Sequence, residues 1–281
     1  MKRSIVSILL VVSLILVSAC GSNSNNSSTS SSSSAPSSSS ASSAASESGL
    51  DKVQKRGKLV VATSGNGKPF TYLDEKGNLV GFDIDLANLI ADELGVELEL
   101  KTGQFSGFIP ALLNGEFDAI ISALNVTEER KQSIDYTEPY FADGYVAIVK
   151  EGDDSVKDIN GIAGKVVGVT TGTAYVKVAE NIGGYKELKE YPGNAEGFAD
   201  LVSGRVDVII NNSRIANEFI ATNPGKAKVV GDVVKGTDVA IGMQKNNEEL
   251  RDKISEIIKT IKADGTLNDL SMKWFNSPLP F

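Results

Sequence analysis

Histidine is missing altogether from the 281 residues, and cysteine occurs once, as Cys20. The first absence removes the side chain that most often serves as general base near neutral pH and as metal ligand. The second excludes an intrachain disulfide, a zinc cluster or a CxxC redox pair. Clusters of positive charge are lacking too: 28 Lys and Arg stand against 36 Asp and Glu, a net charge of -8. Phosphate backbones are held by lysine and arginine, so nucleic acid is not expected as a partner. Catalysis by carboxylate, lysine or serine stays open, yet the composition tilts toward binding, with neither metal nor cofactor expected. What the chain does have is 41% hydrophobic and 23% charged residues, over a length that supports a core in one or two domains.

Met1, Lys2 and Arg3 give a positive start to the apolar run Ile5 to Val17. This is the shape of a secretory signal, and the run is too short to span a bilayer comfortably. Leu16-Val17-Ser18-Ala19-Cys20 resembles a bacterial lipobox, which implies cleavage before Cys20 and a lipid, such as palmitate, on the mature end; the chain's one cysteine lies where that motif needs it. Stable anchoring takes more than one acyl chain. Residues 21 to about 48 are nearly all Ser, Asn and Ala, too polar to offset the entropy of ordering, and read as a flexible tether. The expected layout is a signal peptide at 1–19, a lipidated cysteine and Ser-rich linker at 20–49, and a soluble body from residue 50. Such a body is held at the cell membrane, on its extracellular face or in a periplasm.

Within the body, KLVVAT (58–63) reads as a buried strand, residues 70–80 as a hairpin, and GFDIDLANLIADELG as a helix with Leu86, Leu89, Ile90 and Leu94 on one face. Strands at 96–100 and 117–122 and a short helix at 108–113 complete a strand–helix–strand–helix–strand unit, which implies a parallel sheet wrapped by helices. A second unit repeats the pattern: strands at 165–170, 187–191 and 206–211, helices at 173–181 and 195–202, then a helix 214–221 capped by Ser213. Strands at 145–150 and 238–243 cross between the units, and two helices, 247–263 and 267–275, end the chain. The predicted fold is α/β: two lobes with parallel-core sheets joined by two crossover strands, lobe 1 from 50–145 and 240–281, lobe 2 from 146–239. In open α/β sheets ligands sit beyond the carboxyl ends of strands. That rule selects the segments after Thr63, Ser122, Thr170 and Asn211.

The stretches GFDIDLANLIADELG, FIPALLNGEFDAIISALNVTEER, IDYTEPY (134–140), VGVTTGTAY (167–175) and GRVDVIIN (204–211), in that order and spacing, resemble the substrate-binding proteins of polar amino acid ABC transporters. The resemblance covers roughly residues 57 to 275. It implies a type II periplasmic-binding-protein fold whose lobes close on one small ligand, an ABC permease as partner, and membrane attachment through the lipid anchor. In proteins of this kind the arginine after the strand holds the ligand's α-carboxylate, and that position is Arg130. A planar guanidinium donates two parallel hydrogen bonds to a carboxylate. The alternative for Arg130 is a solvated helix residue paired with Glu128 or Glu129. By the same resemblance backbone groups at Ala123 and Asn125 and the Asn125 side chain, with Ser122 at the same strand end, hold the ammonium and the carboxylate, and in the helix start Thr171–Ala174 amides near Thr173 and Ala174 complete the carboxylate clamp; the alternative there is helix capping by Thr171 or Thr173. Phe105 either packs on the ligand side chain or belongs to the core.

Two positions depart from the pattern. Asn212 stands where an aspartate commonly meets the α-ammonium, and Gly67 where an aromatic is common two residues before the Pro-Phe pair. An amide brings no charge to an ammonium. Two other functions are compatible with the scaffold: a cyclohexadienyl dehydratase-like enzyme, which needs an acidic proton donor in the cleft, and an extracellular sensor lobe. The lipobox and tether favour the binding protein.

Overall fold

The computed structural model describes residues 48–279; the signal peptide, Cys20 and almost all of the serine-rich linker lie outside the described residues. Helix α1 (Gly49–Arg56) opens the body, with Ser48 accepting at its start, and leads into β1 (Lys58–Thr63). A small antiparallel meander of β2 (Asn66–Gly67), β3 (Thr71–Leu73) and β4 (Leu79–Val80) delivers the chain to α2 (Phe82–Leu94). Then come β5 (Glu97–Thr102), α3 (Phe108–Leu113), β6 (Ala119–Ile120), α4 (Glu128–Lys131), β7 (Ile134–Tyr136) and the long β8 (Phe141–Lys150). The second half runs β9 (Val166–Thr170), α5 (Ala174–Ile182), β10 (Glu187–Tyr191), α6 (Asn194–Ser203), β11 (Val208–Asn212), α7 (Ser213–Thr222), β12 (Ala227–Val239), β13 (Gly242–Gln244), α8 (Glu248–Ala263) and α9 (Thr266–Phe275).

The strands form two five-stranded sheets, ordered β5-β1-β6-β13-β7 and β10-β9-β11-β8-β12. In each, the inner strands are parallel: β1 pairs with β5 and β6, and β9 with β10 and β11. The returning strands are antiparallel, β13 in the first sheet and β8 and β12 in the second. Both sheets are covered on two faces. In the first, Leu86 and Ile90 of α2 and Ile254 and Ile258 of α8 pack on one side, Phe108 and Leu112 of α3 on the other. In the second, Tyr175 and Ala179 of α5 face one side, Phe198 and Leu201 of α6 and Ala216 of α7 the other. Helix α8 shows the cause plainly: Leu250, Ile254, Ile257, Ile258 and Ile261 are its buried residues, at helical spacing. Each such side chain contributes roughly 1.5–3 kcal/mol through burial.

Strands β8 and β12 join the two sheets. Their antiparallel ladder runs from Lys150–Ala227 to Phe141–Val239, with register shifts between Val230 and Val234 and between Lys235 and Asp238. Beyond it Tyr140 N–H donates to Val239 O (3.0 Å) and Ala240 N–H to Leu124 O (3.1 Å), which ties the crossings to each other and to the segment that follows β6.

The two-lobed α/β architecture is the one expected, with differences in detail. The crossing expected at 238–243 is two strands, and β12 extends back to Ala227; Gly231 and Gly236 interrupt the alternation that would mark it. The helix expected to start after Ser213 starts at Ser213, because Asn212 is its cap. Strand β6 keeps only two ladder residues, since the chain turns away at Ile121.

One junction in lobe 1 has no room for a side chain. Gly81 precedes α2 at φ 135° and ψ 174°, a region open to glycine alone. A Cβ there would overlap the carbonyl oxygen of Phe70, which accepts from Asp83 N–H at 2.9 Å. Gly81→Ala is expected to destabilise the fold by about 3 kcal/mol or more, read as a drop in the chemical-denaturation midpoint.

Candidate functional site

The carboxyl ends of β1, β6, β9 and β11 converge on one cavity of about 510 Å³, counting its open mouth. Ser64 follows β1, Ser122 and Ala123 follow β6, Thr170 ends β9, and Asn211 and Asn212 end β11; all line it. These are the four segments that the strand-end rule selects. Ser64 N–H donates to Ser122 Oγ (3.1 Å), stitching the β1 and β6 ends together. Thr71 Oγ1 accepts from Thr63 Oγ1 (2.8 Å) and from Gly65 N–H (3.2 Å), which folds the loop between them over the sheet edge.

Ala123 carries a positive φ of 47°, costly for a residue with a Cβ. The conformation is held from below. Ala123 N–H donates to Asp83 Oδ2 at 2.6 Å, and Tyr140 Oη donates to Asp83 Oδ1 at 3.0 Å. Asp83 and Tyr140 are wholly buried. Burial pushes the Asp83 carboxyl up to about 7, against the pull of the bonds from Ala123 and Tyr140. Burial and the neighbouring Asp83 push the Tyr140 hydroxyl well above its ordinary range. A buried acid under the loop thus sets the path of the backbone that lines the cavity.

Of the nine residues singled out from the sequence, six line this cavity: Phe105, Ser122, Ala123, Asn125, Thr173 and Asn212. Arg130, Thr171 and Ala174 are not among the lining residues. Arg130 lies directly behind the wall. It is 9% exposed, its Nη1 donates to Asn125 O (2.7 Å) and its Nη2 to Gly172 O (2.8 Å), and its guanidinium carbon stands 5.5 Å from the Phe105 ring centroid. It is therefore not the solvated helix arginine that Glu128 or Glu129 would pair with. Desolvation by burial lowers its pKa, and the described residues offer it no carboxylate partner in ion-pair reach. Buried charges are ordinarily paired. Thr171 points its N–H back into the second sheet, to Tyr191 O at 2.9 Å. Thr173 N–H donates to Thr170 O at 3.2 Å, whereas Ala174 is the first residue of α5, where the helix supplies its amide no acceptor. Phe105 lines the cavity and meets Phe108 edge-on at 5.9 Å.

Several lining residues carry no mark in the sequence. Tyr175 and Ile215 come from helix first turns, and Asn194 begins α6 after the strand end at Tyr191. Extending the strand-end rule to residues 187–191 selects Asn194. Its amide joins the lobes, with Nδ2 donating to Asn66 O (3.2 Å). Lys68 and Glu218 also meet across the lobes at 2.9 Å, half-exposed and hence a weak tie. Asn211 Nδ2 and Thr170 Oγ1 both donate to Asn194 Oδ1, at 2.7 and 3.1 Å. Every described side chain lining the cavity is uncharged.

A cavity built at strand ends between two hinged α/β lobes defines a solute-binding protein of the type II class. The family profile of bacterial extracellular solute-binding proteins, family 3, matches residues 59–277, and the chain belongs to that family. It is 32% identical over 230 residues to the L-cystine-binding protein TcyJ of Escherichia coli (strain K12), covering 81% of this chain and 86% of that one. It is 30% identical over 222 residues to ABC transporter arginine-binding protein 1 of the same organism, covering 78% and 90%. Among solved structures, an ancestral arginine-binding protein bound to glutamine superposes with a TM-score of 0.76 at 39% identity, covering 79% of this chain and 99% of that one. Members of this family are substrate-binding proteins of importers, extracellular or periplasmic, rather than enzymes. No helix among the described residues is long and apolar enough to cross a membrane.

Two outcomes follow from the geometry. Asp83 is raised above its unfolded value of 3.8, so between about pH 4 and 7 the folded protein keeps a proton that the unfolded chain has released. Stability is then full below about pH 4 and declines as pH rises to about 7, by on the order of 4 kcal/mol. Asp83→Asn, an isostere of the protonated acid, should flatten the denaturation free energy over that range, and an unaltered pH profile would remove Asp83 as its source. Gly172 sits at φ 76°, with Ser106 Cα of the opposite lobe 2.8 Å from where a Cβ would stand. Gly172→Ala should hold the lobes apart, visible as a larger radius of gyration by X-ray scattering in the presence of ligand.

Proposed function

We propose that the chain is the lipid-anchored binding component of an ABC importer for a polar amino acid or an amino-acid-like carboxylate. The observation that carries this reading is the buried guanidinium of Arg130, which lies against both lobes without a carboxylate of its own. A guanidinium has five N–H donors, and the bonds to Asn125 O and Gly172 O and the contact with the Tyr136 hydroxyl leave donors to spare. A ligand carboxylate between Asn125 and α5 takes these, together with the Ala174 amide and the positive end of the helix. Closure of the lobes removes the carboxylate from water and strengthens each contact. The named ligands of relatives, cystine and arginine, and the glutamine in the ancestral protein are all amino acids, which supports the class without fixing the member.

The lipid anchor rests on the sequence around Cys20 and on the serine-rich tether, which support a body held outside the cytoplasm to serve a permease. A dehydratase on this scaffold needs an acidic proton donor in the cleft, and the described lining residues supply none.

Arg130→Ala should lower ligand affinity by about 30-fold or more while leaving the circular dichroism spectrum unchanged, since loss of one partner of a buried charged hydrogen bond costs 2–5 kcal/mol. Calorimetry that finds affinity preserved in a folded Arg130→Ala chain would remove the arginine from the site.

A further inference from the structure

One asparagine of the second lobe turns a particular edge toward the cavity. Asn212 Oδ1 accepts from Arg214 N–H at 2.8 Å and from Ile215 N–H at 3.3 Å, so the oxygen is fixed as the cap of α7. Rotating the amide by half a turn would set its NH₂ against those two donors and leave the helix start without its acceptor, a loss of about 1 kcal/mol before any repulsion. The orientation is therefore fixed by the helix, and Nδ2 is the end left for the cavity that Asn212 lines. The amide oxygens of its neighbours are likewise engaged, and so are their nitrogens. Asn211 Oδ1 accepts from Asn212 N–H at 2.8 Å, and Asn194 Oδ1 accepts from both Thr170 Oγ1 and Asn211 Nδ2. Three side-chain amide oxygens on this wall already accept within the protein.

We propose that the ligand presents a hydrogen-bond acceptor, not an ammonium, to Asn212: a small carboxylate carrying a hydroxyl, oxo or carbonyl oxygen at that position. The inference rests on the reading of the cavity as a carboxylate site and narrows it. An ammonium placed against Asn212 Nδ2 would meet N–H with N–H⁺ in a buried position, and burying a charge without an acceptor is strongly unfavourable. An oxygen there takes a hydrogen bond from a donor that has no acceptor among the described residues. The remaining N–H groups of Arg130 supply the positive charge for the carboxylate.

The test is calorimetric titration of the full chain, wild type and Asn212→Asp, with matched α-hydroxy and α-amino acids: lactate and alanine, malate and aspartate, 2-hydroxyglutarate and glutamate. Aspartate caps a helix as well as asparagine does, so the variant is expected to fold. The expected result is a hydroxy acid binding the wild type about tenfold more tightly than its amino partner, with the order reversed in Asn212→Asp. The inference is overturned if the amino partner binds the wild type more tightly, if the variant leaves the order unchanged, or if no hydroxy acid binds. Standard amino acids titrated in parallel separate the two readings: their binding without that of hydroxy acids sinks this inference and leaves the importer reading intact. Failure of both sets sinks both.

Discussion

A positive charge out of water is the constraint around which the site is organised. Arg130 is carried by the short α4, whose start is capped by Thr127, and its guanidinium reaches a carbonyl on each lobe. Neither carbonyl carries a full charge, so the pair of bonds orients the guanidinium without neutralising it. Small residues and backbone crowd in beside the Phe105 ring: Gly172 lies close against Ser106, and Ala123 turns through the left-handed region beside Asn125. The guanidinium stands behind a wall of uncharged side chains, where Gly172 and Ser106 bring the two lobes together.

The second layer of the design is hidden beneath the first. Asp83 belongs to α2, is not itself part of the cavity lining, and reaches it through the Ala123 amide. Yet it links the start of a helix, the strained loop and the Tyr140 hydroxyl at the entrance of β8. The same group that shapes the binding loop therefore also contacts the chain where it leaves the first lobe.

Much of this is written in the sequence. Strand–helix alternation, with Leu86 and Ile90 or Ile254 and Ile258 at helical spacing, discloses two wrapped sheets, and their carboxyl ends disclose where a ligand sits. What stays concealed depends on pairing across long separations. β12 changes register against β8 twice, so no local alternation announces it. Asn212 reads as a substituted ligand residue, and only the coordinates show that its oxygen caps a helix and that its nitrogen remains. Arg130 reads as a residue of the cavity surface, but its exposure is governed by Gly172, forty-two positions onward.

The interruptions in the β8–β12 ladder bear on motion. Residues 231–233 and 236–237 of β12 lack regular partners, whereas Ala227 to Val230 and Asp238 to Val239 are paired on either side. A rotation of one lobe against the other can be absorbed as torsion in those two short gaps, with the flanking pairs turning as rigid blocks. The stroke of the molecule is thereby separated from its cohesion: the elements that bend are not those that hold each half together.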